Sequence, residues 1–146
     1  MPWKMRLGIV RATQAKFTVS AAVAIVDPEG RVLLLDHRVR ARSGWGLPGG
    51  FLEYGEQPDE GVRREIREET ALELEDLVLQ RVRVAGRHVE ILFSAGGGGT
   101  PVLKANEIKG SGWFGRDELP KDLHPSQKVF IGQVLDNGFE KSRRAD

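Results

Sequence analysis

The sequence predicts a single α/β domain built on a mixed β-sheet, and three observations predict it. Its 146 residues suit one hydrophobic core. Apolar, β-branched runs precede, separate and follow two segments of helical periodicity. No internal repeat and no linker-like stretch divides the chain, so one domain spanning 1–146 is expected.

Residues 17–26, FTVSAAVAIV, are small, branched and apolar, and read as a largely buried strand. Asp27-Pro28-Glu29-Gly30 has the residues of a turn. RVLLLDH (31–37) follows as a second strand, so a hairpin is expected. The basic loop RVRARSG (38–44) leads to WGLPGG (45–50). There Leu47-Pro48-Gly49-Gly50 reads as a type II turn, with Pro second and Gly third. A helix is predicted from Pro58 to about Ala71. Pro58 suits its first turn, and Asp59 and Glu60 suit the positive end of its dipole. LVLQRVRV (77–84) and HVEILFSA (88–95) read as strands, the first half-exposed. AGGGGT (95–100) is a flexible connection. GWF (112–114) predicts a short strand, and Asp117–Leu119 a turn or short helix stopped by Pro120. Apolar residues at 129, 130, 131, 134 and 135 predict a helix over 125–139, ending near Asn137-Gly138. Residues 1–16 form an N-terminal segment of no predicted course, in which Trp3 leaves a homodimer open. Residues 140–146 are expected to fray.

Composition narrows the function. With 22 basic and 21 acidic residues, a net charge of +1 gives no electrostatic reason to expect nucleic acid or a membrane as partner. The lack of cysteine excludes disulfides, thiolate catalysis and cysteine-bound zinc. The first sixteen residues are too charged for a secretory apolar core, and no run approaches transmembrane length, so a cytoplasmic location is expected.

The chemistry concentrates in Gly50–Leu72, GFLEYGEQPDEGVRREIREETAL. At about 100° per residue, with Glu65 at 0°, Glu69 lies at about 40°, Glu68 at about −60° and Arg64 at about −100°. Val62, Ile66 and Thr70 fall between about 60° and 140°, a stripe suited to the core. The helix thus buries one side and presents three carboxylates beside it. A plain solvated face is one reading, because Glu60–Arg64 and Arg64–Glu68 are i,i+4 pairs worth a few tenths of a kcal/mol each. Glu65, however, meets both Glu68 and Glu69 at repulsive spacings of about 0.2–0.5 kcal/mol each. A hard divalent cation reverses that penalty, since it takes oxygen ligands. Upstream glycines let backbone carbonyls or a ligand come close.

This stretch resembles the Nudix box: Gly, five residues, Glu, seven residues, Arg-Glu, an aliphatic, any residue, Glu-Glu, any residue, Gly, an aliphatic. Gly50, Glu56, Arg64-Glu65, Ile66, Glu68-Glu69 and Leu72 match at the required spacings. Ala71 departs from it, standing where the family has Gly. An Ala in the left-handed conformation of such a helix end costs about 1–2 kcal/mol, so the helix is expected to run on slightly or to fray there. The flanking LPGGFLEYGE and WFGRDELP are also similar to the family, so the resemblance spans most of 17–136.

The resemblance implies a Nudix-type α/β/α sandwich that hydrolyses a nucleoside diphosphate linked to another moiety, with Mg²⁺ or Mn²⁺. The substrate would be a small nucleotide, such as a nucleotide sugar like ADP-ribose or a nucleoside triphosphate. By position, Glu65 and Glu69 would be the principal metal ligands. Glu68 would be a third ligand or hold metal-bound water, and the Gly49 carbonyl a main-chain ligand. Arg64 would orient Glu65 and pair with Glu56, and Glu65 is the leading candidate for general base. Glu53 could bind a second metal or substrate, and Glu107 could bring a late carboxylate. From their charge alone, Arg38, Arg40 and Arg42, with His37, could contact substrate phosphates. Trp45, Trp113 and Phe114 could stack on a base, although Trp45 reads equally as packing. His88 and Glu90 share one strand face and could touch substrate or pair across strands. The alternative function is a non-catalytic nucleotide-binding or regulatory module on the same fold.

Overall fold

A computed structural model describes residues 1–37, 44–104 and 107–144, with side chains as far as Asn137 in the last segment. In chain order the elements are α1 (Trp3–Thr13), β1 (Thr18–Val26), β2 (Val32–His37), β3 (Trp45–Gly46), β4 (Gly49–Phe51), α2 (Pro58–Thr70), β5 (Glu75–Ala85), β6 (His88–Gly96), β7 (Ile108–Phe114), a 3-10 turn (Arg116–Glu118) and α3 (Pro125–Arg144). The seven strands form one sheet with the order β3-β2-β1-β6-β5, β4 pairing β1 and β7 pairing β2. β1 runs parallel to β6 from Thr18–His88 to Val26–Gly96, while the other pairings are antiparallel. The sheet is therefore mixed, as expected.

Alternation along the strands creates two cores. Ala21, Val23 and Ile25 of β1, Leu33 and Leu35 of β2, and Phe93 and Ala95 of β6 pack with Val62 and Ile66 of α2. The intervening Ala24, Val32, Leu34 and Leu92 pack with Phe130, Ile131, Val134 and Leu135 of α3. One helix covers each face, which is the α/β/α sandwich that the resemblance implied. α1 lies outside both cores and buries no residue.

Several elements differ from their sequence-based expectation, each for a physical reason. The expected hairpin closes at Val26–Val32, where buried Asp27 accepts backbone N–H bonds from Glu29 and Arg31. Away from that turn the strands change partners: β2 pairs along its length with β7, and Ser20–Ala22 pair with Gly49–Phe51. WGLPGG is consequently two short strands, and no type II turn forms. Gly49 sits at φ 152°, opposite Ala22, whereas the third residue of such a turn needs φ near +80°. A Cβ on Gly49 would collide with the Ala21 carbonyl and the Ala22 Cα, so only glycine lets this segment lie against β1. β7 begins at Ile108, well ahead of the expected GWF, because it pairs with all of β2. α3 passes through Asn137-Gly138 to Arg144, so residues 140–144 are helical where fraying was expected. Inside a helix a glycine costs only about 1 kcal/mol and need not stop it.

Ala71 is a further correction. The helix neither runs on nor frays there; Ala71 takes the left-handed conformation (φ 60°, ψ 12°) and donates its N–H to the Arg67 carbonyl. Neighbouring bonds hold the exit in place. The Thr70 carbonyl accepts from the Val102 N–H at 2.8 Å, and the Thr70 hydroxyl donates to the Ile66 carbonyl at 2.7 Å. We predict that Ala71→Gly stabilises the fold by about 1 kcal/mol, because glycine meets no Cβ penalty at this conformation. Thermal unfolding should show a rise of about 2–4 °C, and an unchanged or lower melting temperature would refute the strain.

Candidate active site

The site is built where α2 leaves the sheet. Pro58 occupies the first helical turn, and Glu60 reaches back to the Gln57 N–H as a capping box. Val62, Ile66 and Thr70 are fully buried, so their stripe fixes the helix's rotation. Glu69, next to that stripe, is carried into the interior and is only 8% exposed. Glu65 turns towards the Gly49-Gly50 strand. A Cβ placed on Gly50 would lie 2.6 Å from the Glu65 carboxyl carbon, so glycine makes the room that this carboxylate uses.

Arg64 organises the remaining acids. Its Nε donates to Glu56 Oε2 at 2.7 Å and its Nη2 to Glu56 Oε1 at 3.0 Å, a two-pronged pair. Nη1 donates to Glu65 Oε1 at 2.9 Å and to Glu68 Oε2 at 3.2 Å, and lies 3.7 Å from Glu53 Oε1. Nη2 also donates to the Phe51 carbonyl at 3.3 Å. The Arg64 guanidinium is held still more firmly in its charged form, first by its hydrogen bond to Glu56. The Glu56 carboxyl is lowered to about 2, first by the Arg64 hydrogen bond and then by backbone donation from Glu53. Glu65 is therefore oriented from one side by the guanidinium and from the other by the Gly50 backbone.

The sequence-nominated residues separate into groups. Arg64, Glu65, Glu68, Glu56 and Glu53 share the guanidinium network, with Glu68 and Glu53 mostly exposed. Glu69 lies one turn beyond Glu65 on the buried side of α2, and Gly49 lies on β4 beside them. Glu107 is exposed just ahead of β7 and makes no hydrogen bond or ion pair among the described residues. Arg38, Arg40 and Arg42 lie outside the described residues. Trp45 and Phe114 are used on each other, edge to face at 5.1 Å, against the α3 core. Trp113 packs against the α2 core and donates its ring N–H to the Gly99 carbonyl. All three rings thus take part in packing while staying only half-buried. His88 accepts or donates between the hydroxyls of Thr18 and Ser20, at 2.6 and 2.8 Å, and Glu90 lies 3.9 Å from Arg83. Sequence reasoning passed over Phe51, an exposed ring that stands edge to face with His88 at 5.7 Å. Its place directly after Gly50 was the available signal.

Among the described residues, no three acidic or histidine side chains converge as a metal cage in this arrangement. The donor chemistry still suits a hard divalent cation, because three carboxylates and nearby backbone carbonyls offer oxygen alone. Glu68, 60% exposed, is held at this rim by its 3.2 Å bond from Arg64. On the α3 face of the sheet, a cavity of about 210 Å³ is lined by Arg81, Arg83, Glu90, Ser126 and Gln127, among others. The Gln127 side-chain oxygen accepts from the Leu47 N–H at 3.1 Å, tying α3 to the strand segment that ends in Gly49-Gly50.

The family model described as the NUDIX domain matches residues 16–134. The chain belongs to the Nudix family. It is 30% identical over 132 residues to a MutT-like protein of Streptomyces ambofaciens, covering 88% of this chain and 84% of that one. It is 29% identical over 116 residues to an ADP-ribose pyrophosphatase of Methanocaldococcus jannaschii, covering 75% and 69%. Among solved structures, a MutT NUDIX hydrolase from Burkholderia pseudomallei superposes with a TM-score of 0.71 at 31% identity, over 82% of this chain and 98% of that one. With these relatives and this fold, the chain is a Nudix pyrophosphohydrolase. Nudix hydrolases generally use divalent metals. Among the described residues, no helix is long and apolar enough to cross a membrane.

The Glu56–Arg64 pair makes a pH-dependent contribution to the stability of this Nudix fold. Because the folded Glu56 is depressed from 4.5 to about 2, its ionised form stabilises the native state fully above pH 4.5. That contribution is lost progressively as pH falls towards 2. In metal-free protein, Glu56→Gln should flatten the dependence of the urea midpoint on pH within this window. A wild-type slope in the variant would show that Glu56 is not the responsible group.

Proposed function

We propose that this Nudix enzyme hydrolyses the diphosphate linkage of a small nucleotide, a nucleotide sugar such as ADP-ribose or a nucleoside triphosphate, with Mg²⁺ or Mn²⁺. The observation that carries the reading is the Arg64 network, which holds Glu65 against the Gly50 backbone beside buried Glu69. Glu65 and Glu69, with Glu68 and the Gly49 carbonyl, would hold the cation, and Glu53 and Glu107 would be its further candidate ligands. When bound, the cation would supply charge neutralisation to the phosphates and acidify water.

The chain's own residues supply the rest. Glu65 is the general base: one carboxylate oxygen takes a proton from water as the water oxygen bonds to phosphorus. The anhydride P–O bond breaks, its electrons leave with the departing phosphate, and a nucleoside monophosphate is released in the cases named. Arg64 fixes the orientation of Glu65, and Glu56 fixes Arg64, so the base does not have to reorganise during the reaction. Arg64 spends its donors on Glu56, Glu65, Glu68 and the Phe51 carbonyl, so neutralising the anionic substrate beside these acids would fall to the cation.

A nucleotide panel with each metal, resolved by chromatography, tests this reading by showing which compound yields a monophosphate. Glu65→Gln should lower kcat by about 10²–10⁴, and Glu69→Gln should abolish turnover while circular dichroism stays native. Mg²⁺ or Mn²⁺ at about a hundred times its Kd should stabilise the wild type by about 2.7 kcal/mol. Absence of cleavage across the panel, together with no stabilisation by either metal, would overturn the assignment. Nucleotide binding without cleavage would instead select the non-catalytic module.

A further inference from the structure

Phe51 presents an aromatic ring one residue beyond Gly50, and one neighbouring ring braces it. Its neighbour Leu52 packs into the α2 core and donates its N–H to the Val19 carbonyl, so by alternation Phe51 faces the other side of the sheet. That is the side of Ser20, with which Phe51 is paired, and of His88, Glu90 and Leu92. The ring is 65% exposed yet meets the His88 ring edge to face at 5.7 Å. His88 is itself clamped, one ring nitrogen 2.6 Å from the Thr18 hydroxyl and the other 2.8 Å from the Ser20 hydroxyl. The Phe51 carbonyl accepts from Arg64, so the backbone that carries the ring belongs to the same network as the catalytic carboxylate. Tyr54, three residues on, provides the contrast. It is fully exposed and makes no ring contact or side-chain hydrogen bond among the described residues. A singly exposed aromatic is ordinary; one held by a clamped ring beside a phosphate-handling site is a preorganised surface.

We propose that Phe51, positioned by His88, is the stacking platform for the planar base of the substrate, a purine or similar ring attached to the phosphates that the Nudix box receives. The inference rests on the nucleotide reading above and adds the residue that recognises the nucleoside end. The Glu65 carboxylate lies against Gly50, and Phe51 follows within one residue, about 3.3 Å along the chain. β4 pairs with β1 alone among the described strands, so a base that passes round its open edge from the phosphate site to the α3 face meets this ring. Glu90 and Arg83 continue the same face into the cavity beside α3. Every base has a π-face, so the platform favours nucleotides over ring-free phosphates and discriminates little between purines.

Calorimetry of the full chain with Mg²⁺ present separates the outcomes, using AMP, GMP and the ring-free ribose 5-phosphate as probes. Phe51→Leu should weaken AMP and GMP binding by about ten-fold and leave ribose 5-phosphate unchanged. Phe51→Trp should restore or strengthen binding of both nucleotides. His88→Ala should shift both in the same direction by less, because it loosens the ring without removing it. In turnover of a cleaved nucleotide, Phe51→Leu should raise KM similarly, with kcat held within about two-fold. Unchanged AMP affinity in Phe51→Leu, an equal loss for ribose 5-phosphate, or no AMP binding by the wild type would each overturn the platform. Binding that depends on Phe51 in a protein that cleaves nothing would keep the platform and sink the catalytic reading alone.

Discussion

The guanidinium of Arg64 is the constraint on which the rest of the site depends. Four carboxylates, Glu53, Glu56, Glu65 and Glu68, lie within 4 Å of it, and it bonds to the Phe51 carbonyl as well. Without that charge, the acids at 65 and 68 would repel across one helical turn, and Glu56 would be left against the helix without its two-pronged partner. Arg64 can do this because it is partly sheltered from solvent, which limits screening, and because Glu56 fixes its plane. The loop before α2, the helix and β4 are thereby joined through a single side chain.

The sandwich makes this arrangement rigid. α2 is pinned by Val62, Ile66 and Thr70, which are fully buried, so its polar edge cannot rotate away from the Gly49-Gly50 strand. That strand is pinned in turn against β1, at a separation that only glycine at position 49 allows. Glu65 falls in the gap between the two, and Glu69 is drawn inwards by the same helical rotation. The chemistry proposed for a Nudix pyrophosphohydrolase asks for this kind of preorganisation, because phosphoryl transfer is accelerated mainly by placement and by charge set in advance.

The two faces of the sheet divide the work. The α2 face supports the charged helix, while the α3 face carries Phe51, His88, Glu90 and Arg83. β4 connects them: alternation sends Leu52 into one core and Phe51 to the opposite surface, while their shared backbone touches Arg64. A nucleotide has an anionic end and a planar end, and under the reading proposed above each would meet a different face within a few residues of β4.

Much was legible in the sequence. The strands at 17–26 and 31–37 and the helix beginning at Pro58 followed from periodicity and turn residues, and the contacts of Arg64 with Glu56 and Glu65 were implied by the family resemblance alone. These are local or near-local properties, written in residues three, four or eight apart. The sequence by itself determined the fold class, the buried stripe of α2 and the crowding of acids along its edge. Tertiary structure alone decided that Gly49-Gly50 would be strand rather than turn, that Ala71 would accept a left-handed exit, and that Phe51 would meet His88. Each of these is set by partners distant in the chain: Ala21 and Ala22 for Gly49, Val102 for the end of α2, and Thr18 and Ser20 for His88. Local preferences of about 1 kcal/mol yield when the sheet offers a distant backbone partner, and short-range spacing carries no record of which partner that will be.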